Sequence, residues 1–89
     1  MSRQYDIKYT PTFAKNYRKL PDSVKKKAVK REQVFRLDPF TSSLKTHKLS
    51  GKLSEYWSFS IDYHYRIVFR FTLKKEILFL DVGTHSVYK

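Results

Sequence analysis

The last third of the chain constrains its fold more than any other feature. Between Tyr56 and Val82 three apolar runs follow one another, each too short for a globular helix. Tyr56-Trp57-Ser58-Phe59-Ser60-Ile61 alternates, with Trp57, Phe59 and Ile61 on one face. Tyr65 to Phe71 alternates too, setting Tyr65, Ile67, Phe69 and Phe71 against Arg66, Val68 and Arg70. Glu76 to Val82 is apolar on both faces, the pattern of a strand inside a sheet. These runs read as three consecutive strands.

The N-terminal part supplies one more strand and two helices. Tyr5-Asp6-Ile7-Lys8-Tyr9 alternates as a strand with one buried face. Thr10-Pro11 reads as an N-cap followed by the first helical position, with Thr12 as a rival cap. Phe13, Tyr17 and Leu20 form one stripe of a short helix. Leu20-Pro21-Asp22 stops it and caps a second helix, from about Asp22 to Leu37. Val24, Ala28, Phe35 and Leu37 mark the buried side of that helix, with Val34 near the edge. Lys25, Lys26, Lys27, Lys30 and Arg31 cover the rest, which reads equally well as a solvated face and as an RNA contact. Residues 40–53 form a connector holding His47-Lys48-Leu49-Ser50-Gly51-Lys52. The element order is β-α-α-β-β-β. It predicts a single α+β domain over residues 1–89, with two N-terminal helices packed on one face of a mainly antiparallel four-stranded sheet.

Register follows from keeping the buried sets opposite one another. A three-residue loop Asp62-Tyr63-His64 pairs Phe59 with Ile67 and Trp57 with Phe69, and sets Ser60 beside Arg66. A two-residue turn at Lys74-Lys75 pairs Leu73 with Glu76, Phe71 with Leu78, Phe69 with Leu80 and Ile67 with Val82. It also sets Arg66 opposite Gly83 and His64 opposite His85. The open face then carries Ser58, Ser60, Arg66, Arg70 and Asp81, with His64 and His85 at one end. Gly83 is either an ordinary strand-end glycine or a gap that admits a phosphate to Arg66.

Charge narrows the function. Nineteen Lys and Arg face eight Asp and Glu, a formal net charge of +11 on 89 residues. Such a field favours nucleic acid or an acidic protein as partner. No helix pairs a strong apolar face with the basic one, so a membrane surface is disfavoured. The chain has no cysteine, hence no disulfide framework and no thiolate metal site. No apolar run approaches the ~20 residues of a membrane span, and the start lacks a signal-peptide core, so a cytoplasmic protein is expected.

The open face holds the parts that RNA cleavage without a metal requires. A base takes the 2′-hydroxyl proton, cations hold the charge on phosphorus, and an acid protonates the leaving 5′ oxygen. Imidazoles suit both proton roles, and arginine suits the phosphate. Tyrosine can stack on a base. With no H-E-x-x-H and no cysteine beside the three histidines, no metal or other cofactor is expected.

At these residues the chain resembles the RelE/ParE superfamily of toxins from bacterial type II toxin-antitoxin systems. The resemblance rests on the element order, on Tyr65-Arg66-Ile67-Val68-Phe69, on His47-Lys48-Leu49-Ser50-Gly51, and on the ending Gly83-Thr84-His85-Ser86-Val87-Tyr88. It points most toward the YafQ branch and its RelE/StbE relatives. It implies a RelE-like fold and a ribosome-dependent endoribonuclease that cuts mRNA in the A site and is held inactive by a cognate antitoxin. In RelE-type toxins the Arg of the Tyr-Arg segment contacts the scissile phosphate, here Arg66. In YafQ-type toxins the His of the Gly-Thr-His ending transfers a proton, here His85, and the His before Leu-x-Gly falls on His47. Tyr88 stands for the C-terminal aromatic, which YafQ places one residue later, where this chain has Lys89. YafQ carries a His and an Asp where this chain has Ser60 and His64, so the general base stays open between His64 and His47. Lys48, Lys52, Ser60, Arg70 and Lys89 are the expected RNA contacts around them. Two other readings fit the same charge. One is a ParE-like toxin that inhibits DNA gyrase by binding; the other is a non-toxic basic RNA-binding protein.

Overall fold

A five-stranded sheet organises the chain in the computed structural model, which describes residues 5–51, 55–72, 76–84 and 87. In chain order the elements are β1 (Asp6–Tyr9), α1 (Pro11–Arg18), α2 (Asp22–Leu37), a 3-10 turn (Ser42–Leu44), β2 (His47–Lys48), β3 (Trp57–Ser60), β4 (Arg66–Phe71) and β5 (Glu76–Gly83). The strands lie in the order β1-β5-β4-β3-β2. The β2–β3, β3–β4 and β4–β5 pairs are antiparallel, while β1 runs parallel to β5 across the helical crossover. The strand beyond the expected four is β2. Its two residues, within what reads as connector, are too few to display a period.

Helix starts follow the local chemistry. Thr10 is the N-cap of α1, its hydroxyl accepting from the Phe13 N–H at 3.0 Å, with Pro11 at the first helical position. Pro21, rather than Asp22, flanks α2, and Asp22 sits in its first turn, where a carboxylate favours the helix dipole. Leu37, expected inside, is 66% exposed. It lies two residues beyond the buried Phe35, and two helical steps rotate a side chain some 200° away. Both helices pack on the sheet face that carries Phe59, Ile67, Phe69, Ile77 and Phe79. At its centre Phe35 has no exposed surface; its ring stacks on Phe59 at 4.5 Å and meets Phe69 and Phe79 edge-on at 4.9 and 5.5 Å.

A polar clamp joins β1 to α2. The Tyr9 hydroxyl bonds the Glu32 carboxylate, which also accepts from Arg36 Nη2 at 3.0 Å. Arg36 in turn donates to the Tyr5 carbonyl at 3.4 Å. Burial, followed by the neighbouring Glu32, raises the Tyr9 phenol above its ordinary 10.0, so it stays a donor.

The two hairpins compare differently with expectation. Between β3 and β4 every described pair is as the pattern predicts: Trp57 with Phe69, Ser58 with Val68, Phe59 with Ile67 and Ser60 with Arg66. Between β4 and β5 only one end agrees, where Arg66 faces Gly83 and Ile67 faces Val82. Past Val68 the register slips by one, so Phe69 faces Phe79 and Phe71 faces Ile77. The extra residue is Leu80, in a β-bulge. Ile77 and Phe79 therefore enter the core, not Leu78 and Leu80. A strand apolar on both sides carries no alternation to decide between the two sets. Leu73, Lys74 and Lys75 lie outside the described residues, but Thr72 N–H donates to the Glu76 carbonyl at 3.0 Å. That closure places three residues between the bonded ends, not the expected two.

Three residues of the expected open face also differ, and the first, Ser58, is only 1% exposed. Asp81 is half-buried, its Oδ1 accepting from Asn16 of α1 at 2.7 Å and from the Val82 N–H at 2.8 Å. A Cβ at Gly83 would come within 2.7 Å of Val87 Cγ1, so the space there belongs to the chain itself rather than to a ligand. Among the described residues no helix is long and apolar enough to cross a membrane.

Candidate functional site

Opposite partners in an antiparallel sheet share a face, so the register lays out the site row by row. One row across the outer face holds Ser60, Arg66 and Gly83. The neighbouring row holds His47, Ser58 and Val68. Short β2 is thus what brings His47 to the sheet. A cleft of about 690 Å³ opens at this end of β3 and β4. His47, Ser60, His64 and Arg66 line it, and so do Arg31, Ser43, Lys45 and the hairpin tip from Ile61 to Tyr63.

The tip is held from several sides. Asp62 Oδ1 accepts from the N–H groups of His64 and Tyr65, both at 2.9 Å, an Asx-type turn that shapes the loop. Lys27 pairs with Asp62 Oδ2 at 3.3 Å. Arg31 Nε donates to the Ile61 carbonyl at 3.2 Å, and Arg66 Nη2 to the Tyr63 carbonyl at 3.2 Å. His64 is exposed, its ring 5.1 Å from that of Tyr63 and almost perpendicular to it.

His47 is oriented by its own loop. Its Nδ1 lies 3.1 Å from the Lys45 carbonyl oxygen. A carbonyl only accepts, so Nδ1 carries the proton and the lone pair of the neutral ring falls on Nε2. Lys45 closes the 3-10 turn in a left-handed conformation, φ 54°, which aims the chain into β2.

Burial works to raise the Asp62 carboxyl, but the two backbone N–H groups and Lys27 outweigh it and hold its pKa below the ordinary 3.8. The charged form therefore contributes stability that is complete above that value and is lost as pH falls through the depressed one. Asp62→Asn keeps an acceptor for both N–H groups but no charge. Its melting temperature is expected to lie below wild type at pH 7 and to converge with it below about pH 3.8. A gap that persists at low pH would show that the charge plays no part.

The site gathers three basic side chains, Arg31, Lys45 and Arg66, with two imidazoles, against one carboxylate already paired with Lys27. A second groove of about 470 Å³ adjoins it, sharing Arg31, Ile61 and Asp62 and adding Lys27 and Lys30. Such a surface suits an extended polyanion.

Of the residues expected at the site, the fold brings together His47, His64, Arg66 and Ser60. Arg70 lies four residues along β4 from Arg66, about 13 Å away at the usual strand rise, and does not line the cleft. Lys48 pairs with Trp57, which alternation puts on the face opposite His47. Lys52, His85, Tyr88 and Lys89 lie outside the described residues. Ser43, Lys45 and Tyr63 were not expected, and Arg31 was expected only within a basic helix face that reads equally well as solvated and as an RNA contact. Arg31 had a signal: with Val24, Ala28 and Phe35 it continues a three-and-four spacing, so a basic residue occupies the buried stripe. Nothing local in the sequence marks Lys45.

Solved structures share the fold. The YoeB/ParE toxin from Agrobacterium tumefaciens matches with a TM-score of 0.76 at 19% identity, over 90% of this chain and 98% of that one. A chain of the RelE-RelB complex from Pyrococcus horikoshii OT3 matches with a TM-score of 0.73 at 17% identity, over 92% and 96%. YafQ from E. coli matches with a TM-score of 0.69 at 21% identity, over 96% and 98%. No curated protein matches the chain. Residues 7–87 match the family described as the ParE toxin of the type II toxin-antitoxin system, parDE. The chain belongs to that family, as a RelE/ParE-superfamily toxin with YafQ-like structural relatives.

Proposed function

We propose that the cleft cuts single-stranded RNA, with mRNA in the ribosomal A site as its substrate, by attack of a 2′-hydroxyl on the adjoining phosphodiester. The observation that carries this reading is the meeting of His47, His64, Lys45 and Arg66 in one open cleft. A neutral imidazole takes the 2′-hydroxyl proton, the 2′ oxygen bonds phosphorus, and the bond to the 5′ oxygen breaks. The products are a 2′,3′-cyclic phosphate and a 5′-hydroxyl. His47 suits the base, because its Nδ1 bond leaves the lone pair on Nε2. His64 or His85 then protonates the leaving oxygen. Positioned acid–base groups contribute about 10²–10⁴-fold. Arg66 and Lys45 meet the charge on the phosphoryl oxygens, so the scheme uses no metal. The reaction belongs where ribosomes are, in the cytoplasm. The partner that silences it is an antitoxin with an acidic segment, complementary to a body of charge +11.

A second reading is favoured by the matched family itself, which is that of ParE toxins. In it the chain inhibits DNA gyrase by binding and cuts nothing. Induction with and without the neighbouring gene, followed by mapping of transcript 5′ ends, separates the two. New ends inside coding regions, suppressed by the neighbour, support the nuclease. DNA-damage signalling with intact transcripts supports the gyrase reading.

A further inference from the structure

Among the described residues, the most exposed large aromatic stands at the lip of the candidate site. Tyr63 is 86% exposed, although it occupies a short loop where a polar residue would satisfy the turn. Its place is not loose. The Tyr63 carbonyl accepts from Arg66 at 3.2 Å, and the adjoining Asp62 caps the next two N–H groups at 2.9 Å. The ring lines the same cleft as Arg66, His47 and His64, and it meets the His64 ring edge-on at 5.1 Å. Nothing in the turn requires the ring. Asp62 shapes the loop through its carboxylate, and the Tyr63 carbonyl accepts from Arg66.

An apolar ring kept in water beside a cationic cleft has one obvious ligand class. Single-stranded nucleic acid offers phosphates to the cations and a flat base to the ring. We infer that Tyr63 is a stacking platform for the base of the nucleotide flanking the phosphate held at Arg66. This rests on the nuclease reading of the cleft and adds to it a base subsite. The contact between Arg66 and the Tyr63 carbonyl couples the two: the guanidinium that meets the phosphate also braces the loop that presents the ring. Stacking uses a face that every base possesses, so the subsite orders the substrate without reading its identity. It selects unpaired strands, because a base already stacked in a duplex cannot lie on the ring.

The test uses the full-length purified chain and a short single-stranded RNA carrying 2′-O-methyl groups, which binds but cannot be cut. Affinity is measured by fluorescence anisotropy for wild type, Tyr63→Ala, Tyr63→Phe and Arg66→Ala. A 2-aminopurine is moved along the strand to report stacking. Tyr63→Ala is expected to bind about 5- to 150-fold more weakly, the range that loss of one base–aromatic stack produces. Tyr63→Phe should stay within about twofold of wild type, because the ring face is what stacks. One 2-aminopurine position should be quenched by wild type and by Tyr63→Phe but not by Tyr63→Ala.

Wild-type affinity and quenching in Tyr63→Ala, with Arg66→Ala weakened, would overturn the platform and leave the RNA cleft standing. If neither variant weakens binding, the nuclease reading fails and the platform fails with it. If Tyr63→Ala slows cleavage of unmodified RNA yet binds the methylated strand as wild type does, Tyr63 merely positions His64, and the platform is again overturned. The melting temperature of Tyr63→Ala should equal that of wild type, because the ring is in water.

Discussion

Arg66→Ala is expected to lower RNA cleavage by about 10²–10³-fold, the loss seen when one preorganised donor to a developing oxyanion is removed. It should abolish growth inhibition on induction while leaving the protein folded. Arg66 lies between Ser60 and Gly83 on the outer face and takes no part in the aromatic core. Its Nε is buried, so the guanidinium is steered by its surroundings rather than swinging in solvent. Part of the loss should come through the hairpin tip, because Nη2 no longer holds the Tyr63 carbonyl. Arg66→Lys keeps the charge but loses the planar fork, and should recover only a minor share of activity. Counting cleaved 5′ ends per transcript and recording thermal melts on the same variants separates chemistry from folding. Unchanged toxicity in a well-expressed Arg66→Ala protein would remove the phosphate role and favour inhibition by binding alone.

Phe35→Ala should have the largest effect on stability. Replacing a fully buried phenylalanine costs about 3–5 kcal/mol, through lost transfer energy and the cavity left behind. This ring has three aromatic partners, Phe59, Phe69 and Phe79, which belong to three different strands and cannot all relax into one hole. A chain of this length has a total stability of about 4–13 kcal/mol. The variant should therefore unfold at a much lower urea concentration, and in the weaker part of that range it will not fold at all. Phe40→Ala is the control. Phe40 is 52% exposed, and its loss should cost about 1 kcal/mol or less. Equal shifts in the two urea midpoints would contradict a core centred on Phe35. The Phe35→Ala protein should also lose toxicity, but with its melt, whereas Arg66→Ala loses toxicity with its melt intact.

How legible the site was depended on how one-sided each strand is. In β3 and β4 the apolar set alternates with Ser58, Ser60, Arg66 and Arg70, so one register satisfies both strands, and it is the one observed. That parity placed Arg66 opposite Ser60. In β5, Ile77, Leu78, Phe79 and Leu80 offer two equivalent apolar sets. The bulge at Leu80 lets Phe79 and Val82 both enter the core, a choice made by shape across the interface with α1 and α2. Arg31 could have been found from its place in the Val24-Ala28-Phe35 stripe, where a charge has to reach past the core to a partner; it reaches the Ile61 carbonyl.

From its residues alone the chain determined its class, its helix starts and the β3–β4 pairing. These rest on interactions within a few residues or on strict alternation, both of which act before distant segments meet. Only the tertiary structure decided that β1 lies parallel to β5, that β5 bulges at Leu80, and that β2 carries His47 to the sheet. It alone set Lys45 in the cleft with Arg66. Those outcomes depend on volumes and contacts between residues far apart in the chain, for which no local pattern of charge or hydropathy stands as a record.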